Sequence, residues 1–119
     1  MKLLKVMKAL ADENRLRIMH LIHQKELCVC EMESILGMTQ SNVSRHLIKL
    51  KDAELIEAEK QGQFVFYRVN PESLQEISFL TGLLEQEVVK LKKSKDDLEK
   101  LNNLKGQGMI CTRENCCKK

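Results

Sequence analysis

The chain has 119 residues, 43% of them hydrophobic, which suits one compact domain with a real core. Twenty Lys and Arg against 17 Asp and Glu give a formal net charge of +3, a balance that permits nucleic-acid binding without demanding it. No apolar run approaches the roughly 20 residues a bilayer-spanning helix needs. The opening MKLLKVMKAL is interrupted by Lys5 and Lys8 and followed by Asp12 and Glu13, so it reads as an amphipathic helix and not as a secretion signal. Five cysteines, two close together in the body and three near the end, suit reduced thiols or metal ligation better than a disulfide framework. The expected compartment is the cytoplasm.

Leu3, Val6, Met7 and Leu10 recur at helical spacing in the first segment. Asp12 is placed to cap a second helix carrying Leu16, Met19 and Ile22. After the stretch Leu27 to Cys30 a helix of about two turns runs through Leu36 and stops at Gly37, and Thr39 caps another to about Lys51. The β-prone runs LIEAEK and FVFYRV, joined by Gln61-Gly62-Gln63, predict a hairpin. Asn70 and Pro71 then open what is expected to be one long helix, along which Leu74, Ile77, Thr81, Leu84, Val88 and Leu91 alternate steps of three and four, as on a helix that packs against a partner. Ser94 is expected to cap a short helix from Lys95 to Lys105, with a mobile tail after Gly106. The fold class is mainly α with a small β-hairpin. Residues 1–93 form the expected main domain, and 94–119 a short helix and cysteine-containing tail.

The segment TQSNVSRHLIKLK, Thr39 to Lys51, holds three Arg or Lys residues, one His and no acid, in a chain otherwise rich in Glu. With Val43, Leu47 and Leu50 as the buried stripe, Ser41, Asn42, Arg45 and Lys49 turn outward, flanked by Gln40 and Ser44. Short polar side chains near a helix N-terminus followed by cations suit DNA recognition: amides and hydroxyls read base edges while Arg and Lys read guanine or hold phosphate. The hairpin adds Lys60 and Arg68. The competing interpretation is an ordinary solvated helix face.

The strings LADENRLRIMHLI, ELCVCE, TQSNVSRHLIKL and GQFVFYRVNP, in this order and spacing over roughly residues 7 to 92, resemble the ArsR/SmtB family of metal-responsive repressors. The resemblance implies a winged helix-turn-helix homodimer, paired through its first and last helices, that binds double-stranded operator DNA until an inducing ion arrives. It also implies that Gln40, Ser41, Ser44 and Arg45 contact DNA.

ELCVCE is similar to the family's metal box and places Cys28 and Cys30 two residues apart. Thiolates are soft ligands suited to As(III), Sb(III), Cd(II), Pb(II) or Zn(II). Residues i and i+2 diverge on a helix but share a side in an extended segment, so one ion joins both sulfurs only if the helix start is extended or unwound. Ion binding is therefore expected to distort this turn and misalign the adjoining recognition helix. Glu33 stands where many arsenic-sensing members carry a third cysteine, which leaves Cys111, Cys116 and Cys117 of the tail as candidate further ligands. Arsenite or antimonite is the favoured inducer. Cadmium or lead, a thiol redox or persulfide switch, and a metal buffer without a DNA role are the alternatives. His20, His23 and His46 are scattered and are assigned no metal. No nucleophile is paired with an oriented base and no glycine-rich phosphate loop occurs, so no enzyme activity is expected.

Overall fold

A computed structural model of the chain describes residues 3–106. Helix α1 (Leu3–Leu10) buries Val6, Ala9 and Leu10 and leaves Leu3, Leu4 and Met7 exposed. Asp12, with extended backbone, caps α2 (Glu13–Gln24) by accepting the N–H groups of Asn14 and Arg15 at 2.8 and 3.1 Å. α2 is the axle of the domain, with Ile18, Met19 and Leu21 inaccessible to solvent.

A two-residue strand, β1 (Leu27–Cys28), leads directly into α3 (Val29–Leu36). α3 ends at Gly37 in the left-handed conformation (φ 69°), which a residue with a side chain adopts only under strain, and the Gly37 N–H returns to the Glu33 carbonyl. Thr39 then caps α4 (Gln40–Asp52) by accepting the Asn42 N–H at 3.3 Å. α3, the tight turn and α4 make the helix-turn-helix.

β2 (Ile56–Gln61) and β3 (Phe64–Val69) pair antiparallel, and β1 adds on the other side of β3 to give the sheet order β1-β3-β2. Gln61 pairs with Phe64, so the connection is the two residues Gly62-Gln63, one fewer than expected, with Gly62 at φ 67° supplying the positive dihedral of such a turn.

The expected long helix after Pro71 is not continuous. Asn70 caps α5 (Pro71–Glu76), but Ile77 has extended backbone, and its carbonyl takes the Leu80 N–H at 2.9 Å. The chain resumes as α6 (Leu80–Gly82), a π-helical turn (Leu83–Glu87) and a 3-10 turn (Val88–Lys90), and extends again at Leu91. Ile77, Leu80, Leu84 and Val88 are thereby buried in the chain's own core, so packing within the subunit overrides the helical register. The last helix, α7, spans Lys92–Gly106. Ser94 lies inside its first turn with its side chain buried, and so is no cap. The boundary expected at 93/94 falls within a helix whose Ser94, Asp97 and Leu101 are all buried. Arg17 of α2 binds Asp97 through two hydrogen bonds and also reaches the Leu36 carbonyl, while Lys100 reaches the Ile35 carbonyl. The C-terminus of α3 is thus held by cations from α2 and α7. No helix among the described residues is long and apolar enough to cross a membrane.

Candidate functional site

α4 buries Val43, Leu47 and Leu50, which are 0, 3 and 0% exposed, as its periodicity requires. Ser41, Arg45 and Lys49 are exposed, and Gln40, Asn42 and Ser44 are partly so. The Arg45 guanidinium donates to the Asn42 side-chain oxygen one turn earlier, which aligns the cation along the helix face. His46 turns the other way: its Nδ1 lies 3.3 Å from Arg15 of α2, and burial lowers its pKa. It therefore braces the helix-turn-helix against α2.

On the hairpin, Lys60 is exposed near the turn. Arg68 instead sits within carboxylates, 2.7 Å from Glu59, 2.8 Å from Glu57 and 3.8 Å from Glu26. The hydrogen bonds it donates to Glu59 and then to Glu57 raise its pKa. The two hairpin cations named from the sequence thus differ: one faces solvent and the other neutralises an acidic cluster across the strands.

Cys28 closes β1 opposite Phe66 of β3 and is also the N-cap of α3, with extended backbone at φ −93°, ψ 171°. Cys30 lies in the first helical turn. The Cys28 and Cys30 sulfurs are 3.7 Å apart. Two sulfurs sharing one tetrahedral ion at about 2.3 Å stand about 3.8 Å apart, so the pair already has the bite of a chelate. Of the two conditions set by the i, i+2 spacing, the extended one holds: α3 begins after Cys28 and need not unwind.

The Glu31 carboxylate accepts the Cys28 N–H at 2.9 Å, and Glu31 is itself buried. Cys28-x-x-Glu31 follows capping-box spacing with cysteine in the serine or threonine place, a signal readable in the sequence and missed there. Among the described residues no group of three or more His, Cys, Asp or Glu side chains is arranged to hold a metal ion, so two sulfurs are what this region offers. Cys111, Cys116 and Cys117 lie outside the described residues.

Residues 12–58 match the model of the arsR family of bacterial regulatory proteins. The arsenic resistance transcriptional regulator ArsR1 of Pseudomonas putida is 40% identical over 82 residues, covering 67% of this chain and 64% of that protein. The cadmium resistance regulatory protein CadC of Listeria innocua is 43% identical over 61 residues, covering 50% of this chain and 51% of that protein. The chain therefore spans about half to two thirds of the length of these two relatives. The solved structure of Mb0332 from Mycobacterium bovis, described as the homodimeric winged helix-turn-helix DNA-binding domain of a possible ArsR-family regulator, superimposes with a TM-score of 0.62 at 32% identity, covering 71% of this chain and 79% of that one.

Proposed function

The chain belongs to the arsR family of bacterial regulatory proteins, and from that premise we propose that it is a cytoplasmic, homodimeric transcriptional repressor released from operator DNA by a thiophilic ion, arsenite or antimonite first. The observation that carries the proposal is the 3.7 Å separation of the Cys28 and Cys30 sulfurs at a residue shared by the sheet and α3. Relatives named as arsenic and as cadmium resistance regulators are both similar to this chain. The absence of a cysteine at Glu33 leaves Cys111, Cys116 or Cys117 as the source of any third sulfur.

In this reading α4 lies in the major groove. Gln40, Ser41, Asn42 and Ser44 address base edges, Arg45 reads guanine or holds phosphate, and Lys49 and Lys60 hold phosphate. Arg68 stays with its carboxylates and positions the hairpin. An ion drawn onto Cys28 and Cys30 acts on two connections at once. The ion and any further ligand it keeps have to be seated beside sulfurs already at chelate distance, which pushes on Cys28 where β1 pairs with β3 and crowds the Glu31 carboxylate that caps the α3 N-terminus. Either movement shifts hairpin and α4 relative to one another, and coupling of about 1 to 3 kcal/mol, a 5- to 150-fold change in DNA affinity, is enough to switch.

The test is fluorescence anisotropy of the reduced full chain on its own upstream DNA, with arsenite, antimonite, cadmium, lead and zinc titrated in parallel. The expected result is binding without ion and release by arsenite or antimonite. Release only by cadmium or lead would transfer the assignment to that branch, and release only by an oxidant or polysulfide would make the pair a redox switch. No DNA binding at all would end the repressor reading.

A further inference from the structure

Resting on the placement of α4 in the major groove, we infer that Ile48 is a sequence-reading residue that packs on the C5 methyl group of a thymine. Ile48 is 60% exposed, whereas the other large aliphatic residues of α4 are buried. It stands seven residues after Ser41, four after Ser44 and three after Arg45, so it shares their face of the helix, about two turns from Gln40. A face otherwise made of hydroxyls, amides and cations gains nothing in water from a large aliphatic side chain, and the core does not take it up.

The major groove supplies what that side chain lacks in solution. Thymine alone among the four bases presents an apolar group there, and aliphatic contact with it is a recognised form of base reading. Ile48 is also β-branched, so its χ1 is nearly fixed in a helix and little rotamer freedom is lost on contact. The side chain is thus preorganised on the face that carries the polar base-reading groups, and it would add preference for thymine at a position those groups do not read.

The test pairs a protein change with a DNA change. Once the wild-type protein is shown to bind its upstream DNA, each thymine of the protected region is replaced by uracil, which removes only the methyl group, and the series is repeated with Ile48→Ala and Ile48→Val. With the wild type, uracil at one thymine position per half-site is expected to weaken binding about fourfold, the equivalent of about 0.8 kcal/mol for one buried carbon. Ile48→Ala is expected to bind the thymine operator more weakly by a similar factor and to show no further loss with uracil at that position, while Ile48→Val retains the sensitivity. Because the side chain is exposed, both variants are expected to melt with the wild type. No uracil-sensitive position, or a loss of equal size in Ile48→Ala, would overturn the inference while leaving DNA binding by α4 intact. Failure of the wild type to bind upstream DNA would instead remove the reading on which the inference rests.

Discussion

Arg17 and Asp97 join the second helix to the last through two parallel hydrogen bonds, Nε to Oδ2 at 2.8 Å and Nη2 to Oδ1 at 2.9 Å. The residues are 8 and 1% exposed, and donation to the Asp97 carboxylate raises the arginine pKa. Two charges withdrawn from water gain little over an apolar pair of the same volume, but one left alone is costly. Asp97→Ala is therefore expected to destabilise the fold by about 3 to 5 kcal/mol, and Arg17→Met with Asp97→Leu by much less. Urea denaturation of the three proteins checks this. Equal losses for the single and double variants would contradict it.

His20 is 1% exposed and neither ring nitrogen has a hydrogen-bond partner among the described residues. Burial lowers its pKa and His23 adds to the lowering, while the Asp97 carboxylate opposes it. The unfolded chain thus takes up a proton first as pH falls below the usual histidine value of about 6.5, so stability is full above that value and falls below it. The thermal midpoint is expected to drop between about pH 7.5 and 5.5 in the wild type. In His20→Leu that drop should be smaller, with His46 keeping its own share. An unchanged slope would show that His20 carries no part of the acid sensitivity.

The two hairpin cations are separated by salt. Each phosphate neutralised on duplex DNA contributes about 0.9 to the slope of log affinity against log salt concentration. In the dimer two copies of Lys60 are lost, so Lys60→Ala is expected to lower the magnitude of the slope by about 1.8. Arg68→Ala, which removes a charge already met by Glu59 and Glu57, is expected to leave it near the wild-type value. The reverse order would place Arg68, and not Lys60, on the phosphates.

Leu4 and Met7 are 74 and 47% exposed on one short helix, a face that suits burial against a second copy of the chain. Leu4→Glu with Met7→Glu is expected to yield a folded monomer in sedimentation and to lose operator affinity, because two half-sites are no longer held by one particle. A dimer that survives both charges would move the interface elsewhere.

Much of this was legible from the sequence for simple reasons. Asp12, Thr39 and Asn70 act as caps because their short side chains reach orphan amides locally, and Val43, Leu47 and Leu50 obey the helical period. What escaped depends on distant partners. The 3-4 spacing after Pro71 is compatible with one straight helix, and only the core contacts of Ile77 and Leu80 break it. Asp97 looks like any surface acid until Arg17, 80 residues earlier, is brought beside it. Arg68 looks like a free cation until β2 sets Glu57 directly across from it. The bite of Cys28 and Cys30 depended on one fact their spacing leaves open, that α3 begins one residue after Cys28.

Operator affinity of Cys28→Ser with Cys30→Ser, measured by anisotropy with and without arsenite, bears most directly on the thiol pair as the trigger. Serine keeps the cap geometry and removes the soft ligands, so the double variant is expected to bind operator like the wild type and to stay bound at arsenite concentrations that lower wild-type affinity by about 5- to 150-fold. Release of the double variant by the same arsenite concentration as the wild type would contradict the assignment.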